Sequence, residues 1–135
     1  MMRAATTVLG WGFLSTLVLA GPAQATQSIS CLDMKSDSSV DILLGAGPVS
    51  KVLRVLIGVG ERLLTTEPSL PGDRVVIAQA FDDGEVFRID LVDEQATELV
   101  ATIRLIYADH DSLPLRIGFV RIGDDPAVGI SCEGP

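Results

Sequence analysis

The single histidine of the chain, His110, stands between two carboxylates in Asp109-His110-Asp111. An imidazole oriented by an aspartate is the pair that moves protons near neutral pH, and all three side chains are also metal ligands. Read as a site, the tripeptide makes the protein a small metal-dependent or hydrolytic enzyme. No Gly-x-Ser-x-Gly elbow supplies a nucleophile to go with it, however. The surrounding Ala108 to Pro114 reads as a loop between two strands, so the plainer reading is a solvated loop and no catalytic set.

Carboxylates cluster again in Asp82-Asp83-Gly84-Glu85 and in Asp124-Asp125. Calcium takes about six to eight oxygen ligands, and Asp82, Asp83 and Glu85 are the candidates to supply some of them. The spacing is not that of a Ca²⁺ loop, so calcium is expected only if the two acidic turns meet in space. Aspartate also stabilises turns by bonding to its own backbone, which explains both clusters without a metal. No other cofactor is indicated. Carboxylate pairs for glycoside hydrolysis are easily drawn, but the sugar-stacking aromatics are missing: beyond the leading segment only Phe81, Phe87, Tyr107 and Phe119 remain.

Arg88, Arg104, Arg116 and Arg121 recur along strand-like runs. They form either a basic stripe for an anionic ligand or one side of cross-strand ion pairs, with Asp90 the nearest partner. In a chain with 18 acidic and 10 basic residues, ion pairing is the expected use. Gly45-Ala46-Gly47 lacks the Gly-Lys-Ser/Thr of a phosphate cradle and reads as a turn.

The two cysteines, Cys31 and Cys132, lie near opposite ends of the sequence. No Cys-x-x-Cys spacing exists, and one histidine is too few for a zinc shell. In an oxidising compartment the pair reads as a disulfide that joins the first and last strands.

The compartment follows from residues 1–25. Arg3 precedes an uncharged apolar run from Val8 to Ala20, Gly21-Pro22 breaks it, and Ala23-Gln24-Ala25 offers small residues for cleavage. This is the layout of an export signal, and the run is shorter than the ~20 residues of a spanning helix. The expectation is a domain over residues 26–135, periplasmic or secreted, with no membrane span after cleavage. Loss of Arg3 takes the net charge from −8 to −9. Such a chain repels nucleic acid and fits a basic protein partner. It carries no signature of oligomeric state.

The elements that must position these groups are short β-type runs. Arg74 to Phe81 and Glu85 to Val92 flank an Asp-Gly turn, the pattern of a hairpin. Phe87, Ile89 and Leu91 alternate with polar residues. Leu99, Ala101, Ile103, Leu105 and Tyr107 share one face, as do Leu115, Ile117 and Phe119. Residues 50–64 and 93–106 have a helical alternative, opposed by Gly58, Gly60 and many β-branched side chains. The sequence therefore predicts a single all-β domain, a small antiparallel sandwich or barrel. Function is expected to be non-catalytic binding of an envelope or extracellular macromolecule. The enzyme centred on residues 109–111 and a structural envelope component packing through sheet edges are the alternatives.

Overall fold

The computed structural model describes residues 26–47, 51–110 and 113–134. The leading segment, Asp111, and the side chains of Asp109 and His110 lie outside the described residues.

Ten strands run in chain order: β1 Gln27–Leu32, β2 Ser38–Gly45, β3 Lys51–Val59, β4 Arg62–Thr65, β5 Asp73–Arg74, β6 Val76–Asp82, β7 Val86–Val92, β8 Leu99–His110, β9 Leu113–Ile122 and β10 Val128–Glu133. Both stretches with a helical alternative are strand, in β3–β4 and β8. All pairings are antiparallel except β4 with β5, and the sheet order is β5-β4-β3-β2-β1-β10-β9-β8-β7-β6. Its two outermost members are parts of one continuous run. Asp73 and Arg74 pair with β4, the Val75 amide donates to the Thr65 carbonyl (3.0 Å), and Val76 onward pairs with β7. The sheet thereby curls into a nearly closed barrel.

The seam between first and last strands is held covalently. Cys31 and Cys132 are directly opposite in the β1–β10 pair and joined by a disulfide across a sequence separation of 101 residues. Both face the interior, where they pack with Ile29, Val40 and Ile130. The short β1–β10 register, Ser30–Leu32 against Ser131–Glu133, makes this bond the main tie across the seam.

Alternation sends one residue of each pair inward. Val40, Ile42, Val55, Ile57, Phe87, Ile89, Leu91, Ile103, Leu105 and Val120 fill the interior and are almost fully buried. Each such side chain contributes about 1.5–3 kcal/mol on burial. The wall carries Asp41, Arg54, Arg88, Asp90, Arg104 and Arg121 on its other face, interspersed with exposed Leu32, Phe81, Ile106, Ile117 and Phe119.

Two face assignments differ from the alternation in the sequence. Leu99 does not join Ala101 and Ile103 inside. A bulge pairs Val92 with Leu99 and skips Val100, leaving Leu99 half exposed and Val100 against the core. In β9 the shared face of Ile117 and Phe119 is the outer one, while Arg116, Gly118, Val120 and Ile122 point inward. Gly118 is obligatory there, because a Cβ would collide with the Arg104 carbonyl and the Leu105 backbone of β8.

Replacing both cysteines by serine should cost about 4–5 kcal/mol, the value for closing a loop of ~100 residues, read as a lower urea midpoint. Gly118→Ala should destabilise by more than about 3 kcal/mol, beyond ordinary overpacking, because the β8 backbone itself must move, with the disulfide still forming. An unchanged midpoint in either variant contradicts the packing described.

Candidate functional site

Antiparallel hairpins alternate between the two mouths of a barrel. The β1–β2, β3–β4, β7–β8 and β9–β10 turns share one mouth; the β6–β7 turn and the ends of β2 and β8 share the other. Cross-mouth contacts fix this. Arg62, after the β3–β4 turn, pairs with Asp125 of the β9–β10 turn at 3.1 Å, and the Gly60 amide donates to the Asp37 carbonyl. Arg74 pairs with Glu94 at 3.5 Å.

The first mouth is acidic. Its turns bring together Asp33, Asp37, Glu61, Asp93, Glu94, Glu98, Asp124 and Asp125, against Lys35, Arg62 and Arg74. Two of its loops have one construction. In the first, the Asp33 carboxylate accepts the amides of Asp37 (2.8 Å) and Ser38 (3.1 Å), with Ser36 at φ 59°. In the second, Asp93 accepts the amides of Thr97 and Glu98 (2.6 and 2.9 Å) and the Thr97 hydroxyl (2.6 Å), with Ala96 at φ 56°. Each loop is also closed by the aspartate amide donating to the carbonyl five residues on. The left-handed residue is unfavourable without glycine, and the carboxylate holds the turn that requires it. These donors, the Thr97 hydroxyl first and the Glu98 amide next, pull the Asp93 carboxyl below its ordinary 3.8. The signal in sequence is an aspartate four residues before a Ser-, Thr- or Asp-containing strand start, a pattern easily read as bland loop.

At the opposite mouth the Asp82–Glu85 hairpin uses its carboxylates in the same manner. Asp83 accepts the amides of Val86 (2.7 Å) and Glu85 (2.9 Å), which lower its pKa, and Asp82 accepts the Gly84 amide and the Tyr107 hydroxyl. The turn residues are Asp83-Gly84-Glu85, with Gly84 at φ 86°. Asp124-Asp125 lies at the other mouth, so the two acidic turns do not meet as a shared calcium shell would require. Among the described residues, no group of three or more potential metal-ligating side chains comes together. The stretch 108–114 expected as a loop is mostly strand instead: Asp109 and His110 end β8 opposite Pro114 and Leu113 of β9, at the mouth of the Asp82–Glu85 hairpin, because the β8–β9 ladder runs on to its tip.

Arg116 leaves the arginine series altogether. It is buried inside, lies over the Tyr107 ring (4.3 Å), and donates to the Tyr107 hydroxyl and the Gly134 carbonyl, both at 3.0 Å. Burial, more than any other cause, raises the Tyr107 pKa above 10.0. Arg104 donates to Asp90 at 2.6 Å and to the Ile89 and Ile103 carbonyls. The aspartate flagged in sequence as close to Arg88 thus serves Arg104.

The outer wall of β1, β10, β9, β8 and β7 carries a groove of about 700 Å³, lined by Leu32, Met34, Val86, Ile106, Ile117 and Phe119 together with Arg88 and Arg104. Sequence alternation hid it, because apolar residues on a strand were expected to face the core. Comparison of the chain with protein-family models, curated proteins and solved structures gives no match.

A carboxyl held below its ordinary pKa stabilises the fold above that ordinary value and loses its contribution as pH falls through the lowered one. Asp93→Ala should therefore lower the melting temperature at pH 6. The gap from wild type should close as pH falls below the ordinary carboxylate value of 3.8 and through the lowered one. A gap independent of pH would show that the Asp93 charge does not hold the loop.

Proposed function

We propose that the chain is an exported, non-catalytic barrel that binds a basic protein of the envelope or extracellular space at its acidic mouth. The carrying observation is the gathering of four acid-bearing turns at one end of a rigid, disulfide-closed wall. Lined up by the strands, these charges attract a cationic surface and raise its rate of encounter. Glu61, Glu98 and Asp124 have no side-chain partner among the described hydrogen bonds and ion pairs, so their charge is free for such a surface. The Cys31–Cys132 bond is compatible with an oxidising compartment, as the export reading requires. The near-closure of the ring takes up the sheet edges that a purely structural, edge-paired assembly would use.

Crosslinking of the protein in an envelope extract tests this reading. A cationic protein should be crosslinked when the reaction is run at low salt and should not be when it is run near 1 M salt, where the Debye length is ~3 Å. Glu61→Lys/Glu98→Lys/Asp124→Lys should abolish capture. Glu85→Lys, at the opposite mouth, and His110→Ala should leave it intact. Capture that survives the triple reversal, or none at low salt, defeats the proposal.

A further inference from the structure

The outer groove is not used by the acidic mouth, and its residues break a rule of sheet design. Two adjacent cross-strand rows make it. One row reads Leu32–Ser131–Ile117–Ile106–Val86 across β1, β10, β9, β8 and β7. The next reads Gly129–Phe119–Arg104–Arg88–Phe81. The first row, apolar but for Ser131, forms a trough in contact with water: Leu32 and Ile106 are each 51% exposed. In the second, two arginines stand directly opposite each other, an arrangement that repels. Asp90 answers Arg104 alone, and among the described residues Arg88 has no carboxylate within salt-bridge distance. A net-acidic chain thus keeps beside its apolar trough one cation with no ion-pair partner among the described residues, its guanidinium sensing the Asp83 carboxylate only at longer range. Violations of local rules on a wall otherwise consistent with its fold are expected at binding sites.

We propose that this groove binds a long-chain fatty acid, its tail lying along the Leu32–Val86 row and its carboxylate on Arg88. The row crosses five strands, a length of about 19 Å at the ~4.8 Å strand spacing. An acyl tail spans about 15 Å, half the ~30 Å hydrocarbon core of a bilayer. Gly129 and Ser131 keep the β10 wall low, so the tail lies in a trough over Ser131 and Ile117 with Phe119 of the next row beside it. The carboxylate accepts from the Arg88 guanidinium in a charge-assisted bond and relieves the repulsion between Arg88 and Arg104. The small residues and free cation make the occupant a single chain with an anionic head, which sets it apart from the cationic partner of the acidic mouth.

Titration of the purified protein with palmitate, hexadecanol and hexadecylamine, read by calorimetry, tests the assignment. Palmitate should bind saturably at one per chain, with hexadecanol about tenfold weaker and hexadecylamine weaker still. Arg88→Gln, an exposed change that leaves the core alone, should bring palmitate down to the affinity of hexadecanol. Ile117→Asp should abolish binding, whereas Leu53→Asp, on the exposed side of β3, should not. The proposal is overturned by equal binding of all three amphiphiles, by an Arg88→Gln variant that binds palmitate as wild type does, or by no saturable binding. Sedimentation showing a dimer that Ile117→Asp dissociates would assign the groove to a second copy and overturn it equally. None of these outcomes bears on capture at the acidic mouth.

Discussion

The fold depends on joining strands that are farthest apart in the chain. Every other antiparallel pairing links neighbours in sequence and closes over a short loop. The β1–β10 pairing must bring together segments 101 residues apart, and it does so over only three residue pairs. Backbone hydrogen bonds at such a seam contribute little net stability against the entropy of closing so long a loop. The Cys31–Cys132 bond removes most of that entropy from the unfolded chain. Once the seam is set, the inward rows of Val, Ile and Leu form one continuous interior, and the parallel contact of Asp73–Arg74 with β4 completes the circuit.

Much of this was legible in the residue order. The disulfide, the all-β class, the hairpin around Gly84 and the buried Phe87–Ile89–Leu91 face all follow from local chemistry, and the structure shows each of them. Strand alternation says which residues share a face but not which face is inside. For β7 the charged neighbours Arg88 and Asp90 settle it. For β9 both faces mix apolar residues with arginine, and the choice is made by Gly118, the residue that lets β8 approach. Placing Arg116 inside and Ile117 and Phe119 outside depends on that backbone contact, which no periodicity reveals. Likewise the bulge at Val92 displaces Leu99, because a single skipped residue exchanges the faces.

The candidate surfaces were less legible for the same reason. The acidic turns were visible one at a time; their assembly at one mouth follows from hairpin alternation around a closed ring. Nothing in the residue order singled out Asp33 or Asp93, which hold matching turns through their carboxylates. The opposition of Arg88 and Arg104 needs the β7–β8 register, which a sequence leaves open by one residue in either direction.

The seam has one more consequence. Because β1 and β10 are neighbours on the ring, the order of strands around the wall has no natural beginning. The chain is therefore suited to circular permutation: a short linker from the end of β10 to the start of β1, with new termini opened in the β3–β4 turn at Gly60, where the backbone is exposed and a Cβ would meet nothing. In such a permutant the cysteines would be close in sequence, and the covalent bond would cease to be the principal guarantor of closure.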